Sequence, residues 1–194
     1  MRFEPITLSG NHVRLEPLQR DHLPSLARAI EDGQLWRLMV TSVPHPDQLP
    51  SFYEQAQADQ QAGTALVFAT IDQATGTVLG STRFMHTDWG HQRTEIGFTF
   101  LAQSHWRTAI NTEAKQLMLQ HAFAGLNFNR VAFMTDHLNH RSRNAILRLG
   151  AKQEGILRQH MVMADGRIRD SVVFSISQHE WPGINSLLQE KLGN

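Results

Sequence analysis

The stretch FTFLAQSHWRTAINTEAK, residues 98–115, decides how this chain reads. Together with RTEIG at 93–97, its opening predicts a strand over 93–101. Strict alternation would place Ile96, Phe98 and Phe100 on one face and Glu95, Gly97 and Thr99 on the other. Its end opens a helix over 111–124 (NTEAKQLMLQHAFA), with Ala114, Leu117, Met118, His121 and Ala122 sharing a face. Asn111 and Thr112 are the expected caps, and Glu113 suits the positive end of the helix dipole. A strand that feeds a helix through a loop of small residues aims several backbone N–H groups at one point. The dipole adds partial positive charge there, and such an arrangement binds a phosphate or pyrophosphate.

The flanking segments set this motif in a mixed α/β pattern. NHVRLEPL at 11–18 alternates as a strand, and 21–32 has helical spacing with Asp21 as the expected N-cap and Gly33 as the stop. Residues 42–50, with three prolines, predict a loop or a broken helix start, and 51–62 a polar, Gln-rich helix. Strands are expected at 64–72 and 77–86, joined by the turn QATG. Beyond the central helix, 129–135 predicts a strand, 139–149 a helix stopped by Gly150, and 151–158 and 168–177 two further strands around the Asp165-Gly166 turn. No repeat or linker interrupts this order, so residues 1–194 are expected to form one domain.

Composition narrows the class. The 194 residues are 41% hydrophobic and 19% charged, as in a globular chain. Lys plus Arg number 18, as do Asp plus Glu, so the formal net charge is zero. That balance argues against a general nucleic-acid binder or a polybasic membrane-surface protein. The absence of cysteine excludes disulfide scaffolds, thiolate metal sites and thiol catalysis, and fits a reducing compartment. With no apolar run near membrane-span length and no signal-peptide pattern, a soluble cytoplasmic protein is expected. His137 and His140 are three apart and His86 and His91 flank a turn, but neither pair has a third ligand at suitable spacing, so no metal is expected.

With NHVRLEPL, RTEIGFTF, WRTAINTEAK and NHRSRNAILRLGAKQEG in the same order along nearly the whole chain, the sequence resembles the acetyl-CoA-dependent N-acetyltransferases of the GNAT superfamily. It is most similar to the branch of the Rim-type ribosomal-protein alanine N-acetyltransferases. The resemblance implies a mixed, mostly antiparallel sheet of about seven strands flanked by helices, splayed between the fourth and fifth strands to admit the pantetheine arm. It places CoA binding on Phe100, Leu101 and Ala102, on the loop and helix start Arg107, Thr108, Ala109, Ile110, Asn111 and Thr112, and on Asn139 and Ser142. The family's pyrophosphate fingerprint is Gln/Arg-x-x-Gly-x-Gly/Ala. Here Ile110 takes the Gly position and Thr112 the last, a departure where close backbone approach favours glycine. Either the loop binds through its backbone N–H groups, helped by the Thr112 hydroxyl, or CoA binding has been lost.

The same resemblance suggests chemistry. Glu95 matches the strand Glu that relays the amine proton in many members; otherwise it is an exposed strand residue paired with Arg93 or Arg83. The late-helix Tyr common in the superfamily is replaced by Ile146, and Tyr53 is the only tyrosine in the chain. The Rim-type Asn-x-x-Ser matches Asn139 and Ser142, with Ser142 beside the leaving thiolate; as a local reading, Asn139 caps the helix. The branch's later Glu falls on Met161, and its neighbour His160 reads as a strand or pocket histidine rather than a base. Among Arg141, Arg143 and Arg148, one reaches a CoA phosphate or all form a solvated helix face. Trp36, Phe52 and Tyr53 line the acceptor pocket or pack in the core. The expected function is acetyl transfer to an amine, whether a peptide N-terminus, an amino acid or a small metabolite, by a possible homodimer; the alternative is a CoA-binding or interaction module without transfer.

Overall fold

The computed structural model describes residues 2–193. Its strands are β1 (Leu8–Ser9), β2 (Val13–Pro17), β3 (Leu66–Asp72), β4 (Val78–Asp88), β5 (Arg93–Leu101), β6 (Arg130–Asp136), β7 (Lys152–Val162) and β8 (Ile168–Ser177). They form one sheet in the order β1-β2-β3-β4-β5-β6-β8-β7. All neighbours are antiparallel except β5 and β6, which run parallel. The seven expected strands are present, and the two-residue β1 is the eighth.

Helices α1 (Leu23–Glu31) and α2 (Leu49–Gln61) pack on one face of the sheet. Helices α3 (Ala109–Gln120), α4 (His140–Arg148) and α5 (Trp181–Leu192) pack on the other. β3 is apolar from Leu66 to Ala69 and again at Ile71 because both of its faces are covered: Leu66 and Phe68 meet the α3 side, while Val67, Ala69 and Ile71 meet the α1 side.

Several local expectations are corrected. Asp21 caps no helix; it lies in a 3-10 turn, Arg20–His22, and α1 starts after it with Pro24 in its first turn. Asn111 and Thr112 are not caps either, because α3 begins at Ala109 with Thr108 in the N-cap position. That helix ends in a π turn, His121–Gly125. β7 extends to Val162 rather than 158, and Trp181–Leu192, for which no element was expected, form α5. Trp181, Ile184 and Leu188 bury its inner stripe against the α3 side of the core.

The turn before β2 is held from the far side of the core. Glu113 of α3 is 2% exposed, and its carboxylate accepts the backbone N–H groups of Asn11, His12 and Val13 at 2.7–2.8 Å. Gly10 is required beside it, since a Cβ there would lie within 2.6 Å of Oε2 of Glu113. A buried carboxylate is tolerable when its lone pairs are met this way. Glu113 thus serves α3's attachment to the first strands rather than its dipole. Glu113→Ala removes the carboxylate that all three N–H groups share and is expected to lower the unfolding free energy by about 3 kcal/mol. A lower urea midpoint at unchanged slope would show this, with Glu113→Gln falling between the two.

Candidate active site

β5 and β6 are paired at only three positions, Arg93–Arg130, Thr94–Val131 and Glu95–Ala132. β5 then continues to Leu101 and β6 to Asp136 without pairing to each other. A cavity of about 900 Å³ occupies this gap. Its walls are β5 from Glu95 to Leu101, β6 from Phe133 to Thr135, the starts of α3 and α4, and the segment Val40–Val43. The splay expected between the fourth and fifth long strands is this parallel pair.

A bulge shapes the β5 wall. Gly97 pairs with Arg83 and Phe100 with Ser81, so β5 carries one residue more than β4 across this span. Phe98 takes the strain, at φ +49°. The extra residue breaks the expected alternation. Ile96 and Leu101 face the α3 core, and Thr99 accepts a hydrogen bond from Lys115 of α3. Phe98 instead lies under the Arg83 guanidinium, which also covers Phe52 of α2, and Phe100 packs on Phe52. Phe98 and Phe100 are therefore on Glu95's side of the sheet, not opposite it.

Glu95 lines the cavity with its side chain 13% exposed. Its Oε2 lies 3.1 Å from Nδ1 of His86, which is itself 70% exposed. Neither expected arginine pairs with it: Arg93 binds Asp88, and Arg83 faces Asp59. Burial pulls the Arg83 pKa down to about 10, with Asp59 opposing that shift.

At the other end, the loop into α3 is pinned on both sides. Trp106 donates its indole N–H to Leu101 O, and the Arg141 guanidinium of α4 sits 3.5 Å from the Trp106 ring centre. Arg107 adopts φ +66°, so the left-handed residue of this loop is Arg107 and not position 110. The Thr108 hydroxyl turns back to His105 O and leaves the first N–H groups of α3 without a side-chain cap. Ile110 sends its side chain into the core, 5% exposed, away from the cavity.

Of the expected CoA-binding residues, Phe100, Leu101, Arg107, Thr108, Asn111, Asn139 and Ser142 line the cavity, whereas Ala102, Ala109, Ile110 and Thr112 do not. Asn139 caps α4, its Oδ1 accepting the Ser142 backbone N–H at 3.0 Å. Ser142 itself lines the cavity at the start of α4. Arg141 and Arg148 line the cavity, while Arg143 donates to His137 O. Ile146 and Met161 also reach it, as does His160, with Nδ1 3.0 Å from the Ser171 hydroxyl. Trp36, Phe52 and Tyr53 pack against the α1–α2 core and line no part of it.

Lys115, Arg169 and the His86 partner were not anticipated. Lys115 is 5% exposed, and its ammonium donates to the Thr82 and Thr99 hydroxyls at 2.7 and 2.6 Å. Its signal was legible: it stands one turn before Leu119 and beside Ala114, inside the apolar stripe of α3.

This fold, with a helix start and a strand carboxylate facing one cleft between parted parallel strands, defines an acyltransferase of the GNAT type. The chain belongs to that family: the acetyltransferase (GNAT) domain model matches residues 12–152. It is 26% identical over 178 residues to the uncharacterized N-acetyltransferase p20 of Bacillus licheniformis, covering 91% of this chain and 99% of that protein. A GCN5-related N-acetyltransferase from Brucella melitensis superposes with a TM-score of 0.86 at 31% identity, covering 98% of this chain and 86% of the other. Mycobacterium smegmatis RimJ, solved in complex with CoA-disulfide, shares the fold at a TM-score of 0.84 and 21% identity, covering 97% and 95%. The chain is thus an N-acetyltransferase by family.

Burial pushes the Lys115 ammonium from 10.5 down to about 7. Between those values the unfolded chain holds a proton that the folded chain has released, so stability rises with pH through this window. The slope contributed is on the order of 1 kcal/mol per pH unit. Lys115→Met is expected to be more stable than the parent at pH 7, with the advantage shrinking towards pH 10. Paired urea denaturations across that range measure it.

Proposed function

We propose that this protein transfers an acetyl group from acetyl-CoA directly to an amine within a ternary complex. The observation that carries this reading is the continuous gap between β5 and β6. It joins the uncapped start of α3, flanked by Arg107, Arg141 and Arg148, to the Glu95 carboxylate at its other end. The run from Glu95 to Leu101 spans roughly 20 Å of extended chain, the scale of a pantetheine arm.

The residues fit the two ends of such a substrate. N–H groups at the start of α3 and the three guanidiniums suit the pyrophosphate and 3′-phosphate. The aligned dipole supplies partial positive charge there. Ile110 is compatible with this, because a buried side chain leaves its own N–H available at the helix start. At the reacting end the amine nitrogen must be neutral to attack the thioester carbon. Glu95 takes its proton, directly or through one water, and the exposed His86 ring passes it to solvent. The C–S bond breaks as the new C–N bond is completed. The Ser142 hydroxyl, at the start of α4, donates to the departing thiolate.

Calorimetric titration with acetyl-CoA is expected to give a micromolar Kd, about −8 kcal/mol. Amine-dependent release of free thiol should accompany it. Glu95→Gln should lower kcat by about 100-fold or more while leaving CoA affinity intact. Binding without thiol release from any amine would favour a CoA-binding module instead. Thr108→Asp supplies the missing cap and fills the donors that the pyrophosphate needs. It is expected to raise Tm yet weaken CoA binding about tenfold or more, ~1.4 kcal/mol.

A further inference from the structure

The charges lining the cavity are unevenly placed. Arg107, Arg141 and Arg148 belong to the α3 and α4 end, and Lys115 is bound to Thr82 and Thr99. One further cation lines the cavity, Arg169 of β8, within electrostatic reach of Glu95. It stands in register with Met161 of β7, whose side chain also lines the cavity.

Among the described residues, no carboxylate forms an ion pair with Arg169. Its Nε is buried without a hydrogen-bond partner. Asp136 is held by Arg167 at 2.5 Å and by the Leu138 N–H. The Asp170 carboxylate accepts the Gln159 N–H, and Glu95 is paired with His86. Burial lowers the Arg169 pKa, while Asp136 and Glu95 act in favour of its charge from a distance. A guanidinium kept in a cavity wall with unused donors is a ready site for an anion.

Among the described residues lining the cavity, Glu95 is the one carboxylate. The cavity wall thus presents the Glu95 carboxylate, partnered by the exposed His86 ring, and a guanidinium with no ion pair of its own, both facing one space. Met85, Phe98, Val40 and Met161 surround them with apolar surface. A zwitterion with an apolar side chain satisfies all three features. A dianionic phosphate beside Glu95 would meet like-charge repulsion that a single carboxylate, offset by its own ammonium, does not.

We propose that Arg169 binds the carboxylate of the acceptor, and that the acceptor is a free amino acid with an apolar side chain, its amine directed at Glu95. This rests on the acetyl-transfer reading above and narrows its acceptor class. The geometry makes Arg169 a binding residue: removing it should raise KM for the acid far more than it lowers kcat.

The test compares acceptors that differ only at the carboxylate. Thiol release from acetyl-CoA is followed with leucine, methionine and phenylalanine, with their carboxamides, with a tripeptide beginning in each residue, and with phosphoethanolamine. The expected result is a kcat/KM for at least one free acid that exceeds that for its amide and tripeptide by tenfold or more. Arg169→Leu should collapse that ratio towards one through KM, and Arg169→Lys should restore part of it; CoA titration of each variant reports that it is folded. Equal or better use of amides, tripeptides or phosphoethanolamine by the parent protein overturns the proposal while leaving acetyl transfer standing. An unchanged acid-to-amide ratio in a folded Arg169→Leu protein overturns it as well. Thiol release from none of these acceptors, with CoA bound, overturns the proposal; the transferase reading falls with it only when a broad amine set, polyamines and other small amines included, also releases no thiol.

Discussion

The short contact between β5 and β6 is the constraint on which the rest of the structure depends. Two parallel neighbours need a crossover, and α3 provides it. After Glu95 and Ala132 the strands part, each still paired on its outer side, β5 with β4 and β6 with β8. Their facing edges therefore carry backbone donors and acceptors that no neighbouring strand satisfies. An extended ligand with its own amide groups can meet them as an added strand would. The start of α3 lies at the end of the same gap because the crossover helix must begin where β5 stops. The cleft is thus a consequence of topology, and the side chains only specialise it.

α3 shows how burial decides the fate of charge. Glu113 and Lys115 are two residues apart and both nearly inaccessible. The carboxylate finds three backbone donors and becomes an anchor for the start of β2. The ammonium finds two hydroxyls and no counter-charge, and burial depresses its pKa. One ion is compensated and the other is not, although both belong to the same helix. The Thr82 and Thr99 hydroxyls also bond each other at 2.8 Å, so Lys115 ties α3 to β4 and β5 just beneath the bulge.

Much of this was legible in the chain. The strand–loop–helix of 93–120, the Asn139 cap, the Gly150 stop at φ +95° and the Asp165-Gly166 turn all follow from local chemistry. What escaped depends on partners distant in sequence. The bulge at Phe98 is invisible to an alternation count, because one inserted residue inverts every later position. Helix α5 carries its own local signal, with Trp181, Ile184 and Leu188 at helical spacing, but Gly183 directly behind Pro182 masks it, and its inner stripe is buried only against the α3 side of the core. The alternative to a relay role paired Glu95 with Arg93 or Arg83, yet its partner is His86, and both arginines are engaged elsewhere.

By itself, the sequence determined the family and the succession of elements from β2 to β8, since periodicity, caps and turn residues act over a few positions. Only the tertiary structure decided which side chains meet. It turned Phe98 and Phe100 to Glu95's side, buried Ile110 away from the cleft and left Arg169 facing the cavity with donors to spare. The reason is physical: burial and electrostatic pairing are properties of the space between elements, and that space does not exist until the sheet has formed and parted.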